Sequence, residues 1–102
     1  MAEVSLESIM GLIMNSGEAK SNAIEAIAAA KASNFSLADS KLEQAKASLI
    51  EAHQSQTSML TQEAQGNQLE LTLLTVHSQD HLMTAITFVD IAKEIIDLYR
   101  LR

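Results

Sequence analysis

The chain has 102 residues, enough for one domain with a modest core, and its formal charge of −6 with seven scattered Lys and Arg disfavours nucleic acid as a partner. Apolar residues make up 47% of the chain and aromatics only 3%, with no proline, no cysteine and three glycines. That palette argues against a turn-rich sandwich or barrel, removes disulfide and thiolate chemistry, and predicts an all-α fold packed with Ala, Leu, Ile, Met and Val.

The first predicted helix runs from about Val4 to Ser33, with apolar residues such as Ile9, Leu12, Ala23, Ile27 and Ala30 spaced mostly by three or four. Gly11 and Gly17 fall inside it and are expected either to mark a close crossing or bend, or to be tolerated at a cost of about 1 kcal/mol each. Asn34-Phe35-Ser36 interrupts the pattern, and Ser36 with Asp39 three residues on resembles an N-cap. A second helix is therefore expected over about 37–64, its stripe formed by Leu37, Leu42, Ala45, Leu49, Ala52, Met59 and Leu60. Such a small-residue face favours close helix packing. Gln65-Gly66-Asn67-Gln68 is the second break, and the third and most apolar helix is expected over about 71–100. Two short connections between three long helices predict an antiparallel, up-down-up three-helix bundle, an elongated rod with surface to spare for a partner. The N-terminus is acidic and the longest apolar run is Ala26 to Ala30, so neither an export signal nor a membrane span is expected, in keeping with a cytoplasmic location.

Candidate chemistry concentrates in Val76-His77-Ser78-Gln79-Asp80-His81-Leu82-Met83-Thr84. On a helix Asp80 lies about 60° from His77 and His81 about 40° to the other side, so the three share a face. Three readings of these residues stand side by side. They form a solvated polar face on a non-catalytic interaction module. Or His77 and His81, at i and i+4, bind a metal, although Asp replaces the Glu of His-x-x-Glu-His and only His53 remains as a third histidine. Or one histidine is a nucleophile, since a neutral imidazole attacks phosphorus near neutral pH and releases the group readily. Phosphoryl transfer rests mainly on positioning and electrostatics, so a small protein without an organic cofactor suffices. The start of the third helix would offer His77 favourable backbone dipoles. No Lys or Arg occurs between Lys46 and Lys93, so any cation must come from elsewhere in the fold, or its role falls to His81.

At these residues the chain resembles the lactose/cellobiose (including diacetylchitobiose) enzyme IIA proteins of the bacterial sugar phosphotransferase system. Their segment reads Val-His-Ala-Gln-Asp-His-Leu-Met-Thr, and only Ser78 departs from it. Met10-Gly11-Leu12-Ile13, Asn15-Ser16-Gly17, and Glu51-Ala52-His53 with Gln56-Thr57 extend the resemblance over nearly the whole chain, and the Gly-Leu-Ile and Asn-Ser-Gly segments lean toward the cellobiose and diacetylchitobiose members. The resemblance implies a three-helix subunit in a homotrimer. His77 would accept a phosphoryl group through Nε2 from the histidine phosphocarrier protein HPr and pass it to a cysteine of enzyme IIB, whose membrane partner phosphorylates an incoming disaccharide. Asp80 would lie at the trimer axis, where three copies share a divalent cation such as Mg2+. Three facing carboxylates repel, and a hard cation or protonation relieves that repulsion. Gln79 and His81 are candidate contacts to the phosphoryl group or a partner, and His53 is expected to pack or hydrogen-bond structurally. Ser78 would place a hydroxyl beside the nucleophile.

Overall fold

The structure is a computed structural model and describes residues 5–102. It contains three helices, α1 (Leu6–Lys31), α2 (Phe35–Ala64) and α3 (Leu73–Arg100), joined by short connections. They form the antiparallel bundle expected of the sequence, 53 × 20 × 18 Å in extent. A helix of about 28 residues is roughly 40 Å long at 1.5 Å per residue, which accounts for the rod. Val4, the expected first residue of α1, lies outside the described residues.

Each helix begins at a side chain that accepts an otherwise free amide. Ser5 accepts from the Ser8 N–H at 3.1 Å, Asn34 from Leu37 at 3.2 Å and Thr72 from Thr75 at 3.1 Å. The second of these corrects the sequence reading: α2 starts at Phe35 with Asn34 as its cap, two residues before the expected start at Leu37, and Ser36 is already helical. Both α1 and α2 end in the same hydrogen-bonded motif. Asn34 N–H donates to Ala29 C=O at 2.9 Å and Ser33 N–H to Ala30 C=O at 3.0 Å; Asn67 and Gly66 repeat the pattern on Gln62 and Glu63 at 3.1 and 3.0 Å. The residue that reverses the chain must adopt positive φ. At Gly66 (φ 92°) this is free of Cβ strain, whereas Ser33 (φ 60°) carries a side chain into the left-handed region. The first turn therefore forms without the glycine that marks the second, and α1 stops at Lys31 rather than Ser33.

Helix α1 is the central element, packed along both neighbours, while α2 and α3 meet more sparingly. Toward the α1–α2 turn the core is alanine-rich, with Ala19, Ala23, Ala26, Ala30, Ala38, Ala45 and Ala92 buried around Leu42, Val89 and Ile96. Small side chains bring the backbones close, as the composition led one to expect. Toward the other end Leu12, Ala52, Met59, Leu69 and Leu82 form a second, larger-residue cluster. Gly11 and Gly17 mark no close crossing: a Cβ at either would meet nothing within 4 Å. At the α1–α2 end Arg100 pairs with Asp39 and lies over the Phe35 ring, 4.9 Å from its centroid, tying α3 to α2. No described helix is long and apolar enough to cross a membrane.

Candidate functional site

Because Thr75, Ser78, Leu82, Ala85 and Val89 are buried, the face of α3 that seats the helix in the bundle is fixed, and so are the directions of its remaining side chains. His77 projects into solvent and His81 is half-buried one turn later. Their rings meet edge to face, centroids 4.4 Å apart, with Nε2 to Nε2 at 3.0 Å. Two imidazoles at i and i+4 thus form one hydrogen-bonded pair rather than two independent groups, and one of the two nitrogens must carry the proton.

The pair is electrostatically uneven. Partial burial holds the His81 pKa below its ordinary value, assisted by the Lys20 ammonium and then by His77, while Asp80 pulls the other way. Lys20 is the cation that the sequence between Lys46 and Lys93 could not supply. It comes from α1, about sixty positions earlier, and nothing in local spacing signals the approach. The His81 Nδ1 is buried and has no hydrogen-bond partner.

Asp80 is exposed, and its carboxylate makes no ion pair or hydrogen bond among the described residues; only its backbone carbonyl is engaged, by the Thr84 hydroxyl at 2.9 Å. No group of three His, Cys, Asp or Glu side chains able to hold a metal ion occurs among the described residues. Within one chain, then, His77, Asp80 and His81 share a helix face without converging on an ion. The described residues also give His53 no part in the site: it is exposed on α2 and makes no hydrogen bond, contrary to the packing role expected of it.

Within the chain Gln79 is engaged across helices, and the expectation for Ser78 changes. Gln79 points away from His77, about 200° around the helix. Its Oε1 accepts from Gln56 Nε2 at 2.8 Å, and its own Nε2 lies 3.5 Å from Met59 Sδ, so the amide joins α3 to α2. Ser78 is fully buried and its hydroxyl donates to the Thr75 carbonyl at 2.6 Å, so it faces the core and not the His77 side of the helix. The dipole support foreseen for His77 is also reduced. Thr72 caps the first turn and the Val76 N–H already bonds the Thr72 carbonyl at 3.0 Å, so His77 lies beyond the free amides.

The outward face of α3 beyond the histidines carries exposed apolar side chains, with Leu73 at 86%, Leu98 at 64%, Val76 at 54% and Ile91 at 50% of full accessibility. Asp80 lies within this strip. Isolated exposed apolar residues are ordinary; here they fall in two pairs on one face, Leu73 with Val76 and Ile91 with Leu98, on either side of a stretch that holds Asp80, Thr84 and Thr87.

Comparison with known proteins gives a consistent result. Residues 7–100 match the family model of the PTS system lactose/cellobiose-specific IIA subunit. The cellobiose-specific EIIA component of Lactococcus lactis is 50% identical over 88 residues, covering 86% of this chain and 76% of the relative. The lichenan-specific phosphotransferase enzyme IIA component of Bacillus subtilis is 48% identical over 91 residues, covering 89% and 83%. Among solved structures, the cellobiose-specific enzyme IIA of Bacillus anthracis superposes with a TM-score of 0.92 at 42% identity over 98% of this chain and 92% of that one. The IIA(chitobiose)–HPr complex of the N,N'-diacetylchitobiose branch of the Escherichia coli phosphotransferase system matches with a TM-score of 0.82 at 37% identity, over 97% and 96%.

Proposed function

Since the chain belongs to the lactose/cellobiose-specific IIA family of the phosphotransferase system, we propose that it carries phosphoryl groups on His77 Nε2, from HPr to a cysteine of a cognate enzyme IIB, in the cytoplasm. The observation that carries this reading is the exposed His77 imidazole, open on one side to a docking protein and paired on the other with His81. An exposed nucleophile suits a relay, because both donor and acceptor are proteins that must reach it. The His77 Nε2 lone pair attacks phosphorus as the donor's P–N bond breaks, and the donor imidazole leaves with that electron pair. Transfer to enzyme IIB reverses the roles, with a thiolate as the attacking group. A IIA protein of the same fold has been solved in complex with HPr, which supports HPr as the donor here. Cellobiose and related β-linked disaccharides are the class favoured by the similarity to cellobiose- and lichenan-specific relatives.

The assembly proposed is a homotrimer in which the outward faces of α3 meet. The apolar strip of Leu73, Val76, Ile91 and Leu98 supplies a surface to bury, and Asp80 within it brings one carboxylate per chain toward the axis. One carboxylate alone is too little for Mg2+, which takes six oxygen ligands, so the residues fit a divalent cation only when three copies contribute. The cation would offset carboxylate repulsion and take no part in transfer. A non-catalytic interaction module or a metal-binding regulator is the alternative.

Incubation with phosphoenolpyruvate, enzyme I and HPr, followed by intact mass measurement, distinguishes them. The native chain and His81→Ala should gain one acid-labile phosphoryl group and His77→Ala none. Absence of any gain in the native chain would overturn the carrier reading.

A further inference from the structure

A proton lies between His77 and His81, and its position decides whether the nucleophile is ready. Two neutral arrangements satisfy the 3.0 Å contact between Nε2 atoms. In one, His77 carries its proton on Nε2 and donates to His81; the His77 nucleophilic lone pair is then absent, and His81 must hold its own proton on Nδ1. In the other, His81 is protonated on Nε2 and donates to a bare His77 Nε2, whose ring proton sits on Nδ1.

The surroundings of His81 separate the two. Its Nδ1 is buried without a partner. A proton there would be a buried, unpaired N–H, which native structures rarely tolerate, while a bare ring nitrogen in the same place forgoes only an acceptor interaction. The edge-to-face packing of the rings keeps the remaining nitrogen of His81 turned toward His77.

We infer that His81 is a positioning residue that holds its single proton on Nε2, fixes His77 in the Nδ1–H tautomer with a bare Nε2, and then shifts that same hydrogen bond from the His77 nitrogen to a phosphoryl oxygen. The inference rests on the carrier role of His77 and specifies how this chain prepares it. The balance is simple. The P–N bond to His77 forms with the Nε2 lone pair, the donor's P–N bond breaks, and no proton passes between the two histidines. The His81 N–H changes acceptor, so the group that orients the nucleophile becomes the group that stabilises the charge it receives.

The test is a nitrogen-15 NMR measurement of both rings in the unphosphorylated native chain at neutral pH, with transfer rates from phospho-HPr for His81→Gln and His81→Ala. The expected result is a bare Nε2 on His77 and a protonated Nε2 on His81, with His77 in His81→Ala returning to the Nε2–H form preferred by a free side chain. His81→Gln, which keeps an N–H donor, should transfer at near-native rate, and His81→Ala should fall roughly ten- to hundredfold, the loss of one hydrogen bond to a charged group. A protonated Nε2 on native His77, or equal rates for the two variants, would overturn the inference. The NMR reading needs no phosphorylation, so a chain that takes no phosphoryl group but shows these tautomers would sink the carrier role and leave the proton assignment intact.

Discussion

Replacing Leu82 with alanine tests whether the site's platform is the larger-residue cluster below it. Leu82 follows His81 directly, is fully buried, and packs in one cluster with Leu12, Ala52, Met59 and Leu69. Truncation removes three carbons from a site that rigid helices on all sides cannot readily collapse around, so the cost combines lost transfer energy with a residual cavity, about 3 kcal/mol. Against a typical total of about 5–15 kcal/mol that is a large fraction. Urea unfolding measures it: with a slope near 1.5 kcal/mol/M for a chain of this size, the midpoint should fall by about 2 M while the slope holds. Several protein concentrations are needed, because any trimer adds a concentration-dependent term to stability. A shift under about 0.5 M would show that the cluster is loosely packed, and the account of how α3 is held in register would be wrong.

Two backbone substitutions should stabilise. Gly17→Ala adds a methyl in open space on a helical residue and should gain about 0.5–1 kcal/mol, as should Ser33→Gly by relieving the side chain at φ 60°; a fall in melting temperature for either would contradict the geometry described. Asp80→Leu should retain or strengthen the proposed trimer without added cation, measured by sedimentation equilibrium with and without chelator, and dissociation to monomers would refute an axial Asp80. Finally, His81 links stability to pH. Its folded pKa lies below the unfolded value of about 6.5, through burial, Lys20 and His77 against the opposing Asp80, so the unfolded chain binds the proton first. Stability is therefore unaffected by His81 above about pH 6.5 and is lost as pH falls through 6.5 toward the folded value. Native protein should lose more stability than His81→Gln between about pH 7.5 and 5.5; equal losses would count against the lowered pKa.

The three helices and their order were legible because helix formation here is mostly local: apolar residues recur at helical spacing and two polar breaks punctuate them. The helix ends were less so. Asn34 rather than Ser36 caps α2, since both are acceptable caps and the choice depends on where the turn leaves the preceding chain. The motif around His77 could be read directly, and spacing alone placed His77, Asp80 and His81 on one side of α3. Spacing could not say which neighbour each would meet. Gln79 reaches Gln56, Ser78 turns into the core, and Lys20 acts on His81, because these are contacts between helices whose relative rotation is set by packing.

The sequence by itself determined that this protein is a helical bundle and that its candidate site residues His77, Asp80 and His81 gather on one turn of α3, since periodicity and residue type act within a few positions along the chain. Tertiary structure decided which polar groups are partnered and which are left for chemistry. Burial and long-range charge arise only when α1 and α2 close around α3, and these are what make His81 a half-buried neighbour of an open His77.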